Sequence, residues 1–145
     1  MNEKTTNAIH WSFWVIGIVA LVWNILGSIN FFMQMNPDVL ASYRASERVI
    51  VEGRPLWATG GFALAVFGGT LGCLLLLLRR SAAYYTLIAS CLGVLVTMTH
   101  TLSMGIDFGT GEIVGILFMP LAVAAFLVWY AKYAELRGWI VKTSS

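Results

Sequence analysis

The chain has 145 residues, 59% of them hydrophobic and 11% charged, with a formal net charge of +2. About a quarter of residues are charged in soluble domains, so a water-soluble globular domain is excluded. The few cations stand at the edges of apolar runs rather than in a patch, which argues against a nucleic-acid partner.

Four stretches lack Asp, Glu, Lys and Arg: 11–37, 55–78, 81–106 and 113–131, of 27, 24, 26 and 19 residues. About 20 apolar residues at 1.5 Å rise cross a ~30 Å hydrocarbon core. The expected fold class is therefore all-α, an integral membrane four-helix bundle forming one domain over 1–145. Its spans are expected near 11–35, 55–78, 81–104 and 112–133, lengths that exclude porin-type strands.

Residues 1–10 are polar, with Lys4 ahead of a long apolar run. A secretory signal has an apolar region of about 7–15 residues and a small-residue cleavage site. Here the run continues past Asn24 without one, so it reads as a retained first span. Gly17, Leu21, Asn24, Ser28, Phe31 and Met35 recur at steps of three or four, a stripe that lets another helix approach and hydrogen-bond. Asn24 is near midspan, where an unpaired amide costs about 2–7 kcal/mol, so it should face the bundle. Trp11 and Trp14 suit an interfacial aromatic belt.

The stretch 36–54, NPDVLASYRASERVIVEGR, opens with Asn at a cap, Pro at the first helical position and Asp in the first turn. A short extracytoplasmic surface helix is expected over 37–49. Its cations Arg44, Arg48 and Arg54 balance Asp38, Glu47 and Glu52.

Span two carries Gly61, Ala65 and Gly69 four apart, and Gly68 and Gly72 beside them. These rows form a flat groove for a close helix neighbour, within the chain or in a partner. Arg79 and Arg80 turn the chain into span three, whose Thr86, Ala89 or Ser90, Gly93, Thr97 and His100 suit antiparallel packing against span two. The turn 105–111, GIDFGTG, holds Asp107 and lacks the Lys of a phosphate loop. In span four, Pro120 should deprive the Ile116 carbonyl of its partner and kink the helix. Trp129, Tyr130 and Tyr133 mark a boundary, and the segment after Trp139 reads as a short mobile tail.

With the amino terminus inside, Lys4, Arg79, Arg80, Lys132, Arg137 and Lys142 lie on the cytoplasmic side, against Arg44, Arg48 and Arg54 outside. The positive-inside rule thus places both termini in the cytoplasm.

Polar groups within spans are the functional candidates, because burying them costs free energy. Asn24, His100 and Asp107 form the candidate intramembrane site, with Asn24 central and His100, Asp107, Asn30, Gln34 and Glu112 towards the outer half; Gly61, Ala65, Gly68, Gly69, Gly72 and Gly93 are the candidate packing positions. No catalytic, cofactor-binding or metal-binding set is expected. His10 and His100 sit near opposite faces, about 25 Å apart by bilayer thickness, and cannot share one haem iron within a monomer. Cys73 and Cys91 read as packing residues rather than a disulfide.

Through WNILG at Trp23 to Gly27, PLWA at Pro55 to Ala58 and AVFGGTLGCLLLLLRRSA at Ala65 to Ala82, the chain resembles a family of small bacterial four-span membrane proteins, some of which carry a "sugar transporter" label. The resemblance implies a bacterial cytoplasmic (inner) membrane and no set of functional residues. Three functions follow as expectations. The first is a nonenzymatic component acting through helix association, as a homo-oligomer or an accessory to a membrane-protein partner. The second is an oligomeric transporter of a small neutral polar solute, with Asn24 and His100 on its path. The third is a pH sensor built on His100 and Asp107.

Overall fold

A computed structural model of the chain describes residues 9–105 and 109–141. All regular elements among them are helical. In chain order they are α1 (Trp11–Met33), α2 (Pro37–Leu40), α3 (Ala45–Glu52), α4 (Leu56–Leu77), α5 (Ala82–Ser103), α6 (Thr110–Ile113), a π-helical turn (Val114–Phe118) and α7 (Met119–Leu136). Four helical stretches, α1, α4, α5 and Thr110–Leu136, are long and apolar enough to cross a membrane.

Local chemistry sets the ends. The His10 ring accepts from the Ser12 amide at 3.2 Å to start α1. Asn36 accepts from the Asp38 amide at 2.9 Å and Pro37 fills the first position of α2, the start expected from the sequence. The helix then stops after Leu40 and a second one begins at Ala45, where a single helix over 37–49 was expected. Two side chains account for the break. The Ser42 hydroxyl donates to the Val39 carbonyl at 2.6 Å, and the Tyr43 hydroxyl donates to Asn30 Oδ1 on α1. Local side-chain bonding of this kind competes with helix continuation.

The α4–α5 turn closes with Arg80 N donating to Leu75 O at 2.9 Å and Arg79 N to Leu76 O at 2.9 Å. That is a Schellman pair, and Arg79 occupies its left-handed position (φ 62°), where glycine is usual. Arg79 is held there by the carboxyl-terminal segment: its Nε donates to Trp139 O at 2.6 Å and its carbonyl accepts from Val141 N at 2.8 Å. The mobile tail expected after Trp139 is therefore corrected for Ile140 and Val141. Trp139 and Ile140 are buried, because Arg79 and the aromatic core give them partners.

α4 and α5 are the most closely packed pair. A Cβ on Gly93 would stand 2.6 Å from both Ala65 N and Gly61 O, so the two backbones touch there. Gly61 lies under Val96, Gly72 under Leu87 and Gly68 against Ser90. The rows expected to meet span three do so. On α4's other side, α1 brings Gly17 beneath Leu77, Gly27 beneath Val66 and Asn24 against Gly69. The last segment packs on α5, and α1 and α7 scarcely meet. The bundle thus has the order α1, α4, α5, α7 with a seam between its outer members.

Most of the core sits at the end carrying the α4–α5 turn. Phe13, Cys73, Leu76, Leu87 and Leu127 are almost wholly enclosed there, with Tyr130 and Trp139 stacked or edge-on to Phe13. At the opposite end Pro120 distorts the last helix. Met119 N donates back to Val114 O, the i→i+5 pattern of a π turn, so the chain widens by one residue ahead of the proline that lacks a donor.

Candidate functional site

Between the seam helices lies a cleft of about 520 Å³. It is lined by α1, α3, α4, α5, the π turn and α7, and has two zones.

The deep zone is apolar in effect. Leu26, Phe62, Val66, Val94, Leu117 and Leu127 form much of its wall. Hydroxyls there are already engaged by backbone. Ser90 Oγ donates to Ala65 O at 2.6 Å across the α4–α5 contact, Thr97 Oγ1 to Gly93 O at 3.0 Å and Thr101 Oγ1 to Thr97 O at 3.0 Å. Asn24 behaves similarly, its Nδ2 donating to Ala20 O at 2.9 Å and reaching Cys73 Sγ at 3.6 Å. A group that has spent its donor on a neighbouring carbonyl can offer a ligand only an acceptor oxygen. The phenyl and methyl groups dominate what a guest would touch.

The mouth is charged. Arg44, Glu47 and Arg54 line it with Asn30 and Gln34. Arg44 Nε pairs with Glu47 Oε1 at 2.7 Å, and this carboxylate raises the arginine above its ordinary value. Arg54 is placed differently. It is half-buried, its Nη2 donates to the neutral amide oxygen of Gln34 at 2.9 Å, and its guanidinium lies 5.0 Å from the centre of the Phe62 ring. Among the described residues the buried Nε has no hydrogen-bond partner and Arg54 forms no ion pair. Burial lowers the Arg54 pKa, since desolvation penalises its charged form. Arg44 is paired with Glu47 and also feels Glu112, whereas Arg54 lines the mouth with no carboxylate paired to it among the described residues.

The arm bearing these charges is tied across the mouth. Tyr43 bonds Asn30 on α1, and Ser46 Oγ donates to Glu112 Oε2 at the start of the last segment. The cleft is thereby bridged at its charged end, and Phe13, Tyr130 and Trp139 pack together at the other end of the bundle.

Of the sequence-derived candidates, Asn24, Asn30 and Gln34 come to the cleft. His100 does not. It is buried, edge-on to Trp57 at 5.8 Å, and neither ring nitrogen has a hydrogen-bond partner. Asp107 lies outside the described residues. The packing positions Gly61, Ala65, Gly68, Gly69, Gly72 and Gly93 all face neighbours inside the chain. Sequence reasoning passed over Arg54, reading its charge as balanced within its own segment. Its one local signal is position: a cation directly before Pro55 and a long apolar run.

Comparison with protein-family models, curated proteins and solved structures finds no match to this chain.

Proposed function

We propose that the chain is a multi-pass protein of a bacterial cytoplasmic membrane which acts without catalysis, as a binding protein for a small ligand held between α1 and α7. The observation that carries this reading is the cleft itself. Its volume of about 520 Å³ lies within the ~300–1,000 Å³ of small-molecule sites. It is walled by helices and lies at the seam where α1 and α7 scarcely meet. Support for cytoplasmic termini comes from Arg79, Arg80, Lys132 and Arg137 at the end where α1 begins and α7 finishes.

Transport of a neutral polar solute draws less support, because the deep hydroxyls have given their donors to backbone carbonyls. Trp23 lines the cleft and gives the test. Purified protein in lipid nanodiscs should show ligand-dependent tryptophan fluorescence that disappears in Trp23→Phe. A screen of polar, apolar and amphiphilic compounds that never alters the Trp23 signal would overturn the reading.

Association remains a second reading with a narrower basis. The small-residue rows on α4 and α5 are taken up inside the chain. A partner, whether a second copy or another membrane protein, would meet side chains exposed on the outside of the bundle, such as Val19 of α1 and Phe126 and Trp129 of α7. Cysteines introduced at Val19 or Phe126 should then crosslink in native membranes, and a purely monomeric pattern would remove this reading.

A further inference from the structure

We propose that the ligand of the cleft is an anionic amphiphile: a carboxylate or phosphate head held by Arg54, and a hydrocarbon tail lying between α1 and α7. The inference rests on the reading of the cleft as a ligand site and names the chemistry of what fills it.

The head is assigned by Arg54. A guanidinium has five donors in a planar fork that matches carboxylate and phosphate. Among the described residues only one hydrogen bond from Arg54 is made, to a neutral amide, and its Nε is buried without a partner. Partial burial of a charge without a counter-charge is unfavourable, and an anion at the mouth offsets that. The Phe62 ring and the Gln34 amide hold the side chain in place, so little rotamer entropy remains to be lost on binding. The opposite charge of ligand is disfavoured. Glu47 is the carboxylate lining the cleft and is already paired with Arg44.

The tail is assigned by the walls below. Leu26, Val66, Leu117 and Leu127 offer no free donor, and Ser90, Thr97 and Thr101 are bonded to backbone carbonyls. A guest rich in hydroxyls would find acceptor oxygens there but no free hydroxyl donor for its own oxygens. A hydrocarbon chain needs none. The route in also fits. The arm tied by Tyr43–Asn30 and Ser46–Glu112 covers the mouth, whereas the seam between α1 and α7 opens sideways, where an amphiphile resides in a bilayer.

The test uses the full chain in nanodiscs of zwitterionic lipid, with Trp23 fluorescence as the readout. A long-chain fatty acid, the fatty alcohol of the same chain, and inorganic phosphate are titrated separately. The fatty acid should bind about tenfold or more tightly than the alcohol, the value of one charge-assisted contact. Arg54→Gln should reduce the acid to the alcohol's affinity, and Arg54→Lys should retain part of the preference. The acid–alcohol comparison on the unaltered protein needs no variant, so it stands even where Arg54→Gln folds poorly. Equal binding of acid and alcohol, or an acid preference that survives in Arg54→Gln, overturns the proposal while leaving the cleft as a ligand site. Phosphate binding as tight as the fatty acid overturns the tail assignment. No response at Trp23 to any of the three overturns both this proposal and the reading it rests on.

Discussion

Asn24 of α1 and Gly69 of α4 occupy one space: the amide oxygen of Asn24 lies where a Cβ on residue 69 would have to be. Ser90 Oγ of α5 stands 3.1 Å from the same point, so three helices converge on a single missing side chain. Gly69→Ala should therefore destabilise the bundle by ~1–3 kcal/mol, the range for overpacking. Asn24→Ala in the same chain should restore much of the loss. Unfolding in mixed micelles of the two single variants and the double variant gives the coupling, and additive effects would contradict the shared space.

The glycines of the α4–α5 contact should differ among themselves. Gly93 faces the backbone of Ala65 and Gly61, which cannot yield, whereas Gly72 faces chiefly the Leu87 side chain, which is enclosed but can shift more than backbone. Gly60 faces open space. We expect Gly93→Ala to cost the most, Gly72→Ala less, and Gly60→Ala nothing or a small gain of ~0.5–1 kcal/mol from lower backbone entropy in the unfolded chain. Thermal midpoints of the three variants check that order.

Arg79 reverses the usual ranking of alanine over glycine. In its left-handed position a non-glycine residue bears about 1–2 kcal/mol of strain. Alanine keeps the strain and loses the Nε bond to Trp139 O. Glycine loses the bond and removes the strain. Arg79→Ala should accordingly be less stable than Arg79→Gly by ~1 kcal/mol or more. Both should speed hydrogen exchange at the Trp139–Val141 amides, and unchanged exchange there would mean that Arg79 does not dock this segment.

Tyr43 links pH to the arm over the cleft. Burial, and then the charge of Glu47, raise its pKa above the ordinary tyrosine value. A raised acid pKa favours the neutral form in the folded state. The contribution of its bond to Asn30 is thus fully present below the ordinary value of about 10 and is lost only as pH rises through the higher folded value. The stability difference between the unaltered protein and Tyr43→Phe should stay flat through neutral pH and shrink only in strong alkali. A difference that declines between about pH 6 and 9 would assign the effect to another group.

The short arm shows where linear reading stopped. Asn36, Pro37 and Asp38 announced a helix start, and one is there, because capping is a contact between neighbours in sequence. The break at 41–44 depends on Tyr43 reaching Asn30, and no local pattern carries that information. For the same reason Arg54 read as balanced by nearby acids. In three dimensions Glu47 is taken by Arg44, while Asp38 and Glu52 are exposed.

Hydropathy and small-residue spacing by themselves determined the number of long helices, their approximate limits and the pairing of α4 with α5, since a tight turn and two glycine-bearing faces leave little other arrangement. Only the tertiary structure decided that α1 packs on α4, that α7 packs on α5, and that a cleft remains between them. Helices that are apolar on every side carry no amphipathic stripe to name their neighbour. Which faces meet is then set by fit among particular side chains, such as Asn24 against Gly69, and fit is a property of the folded bundle.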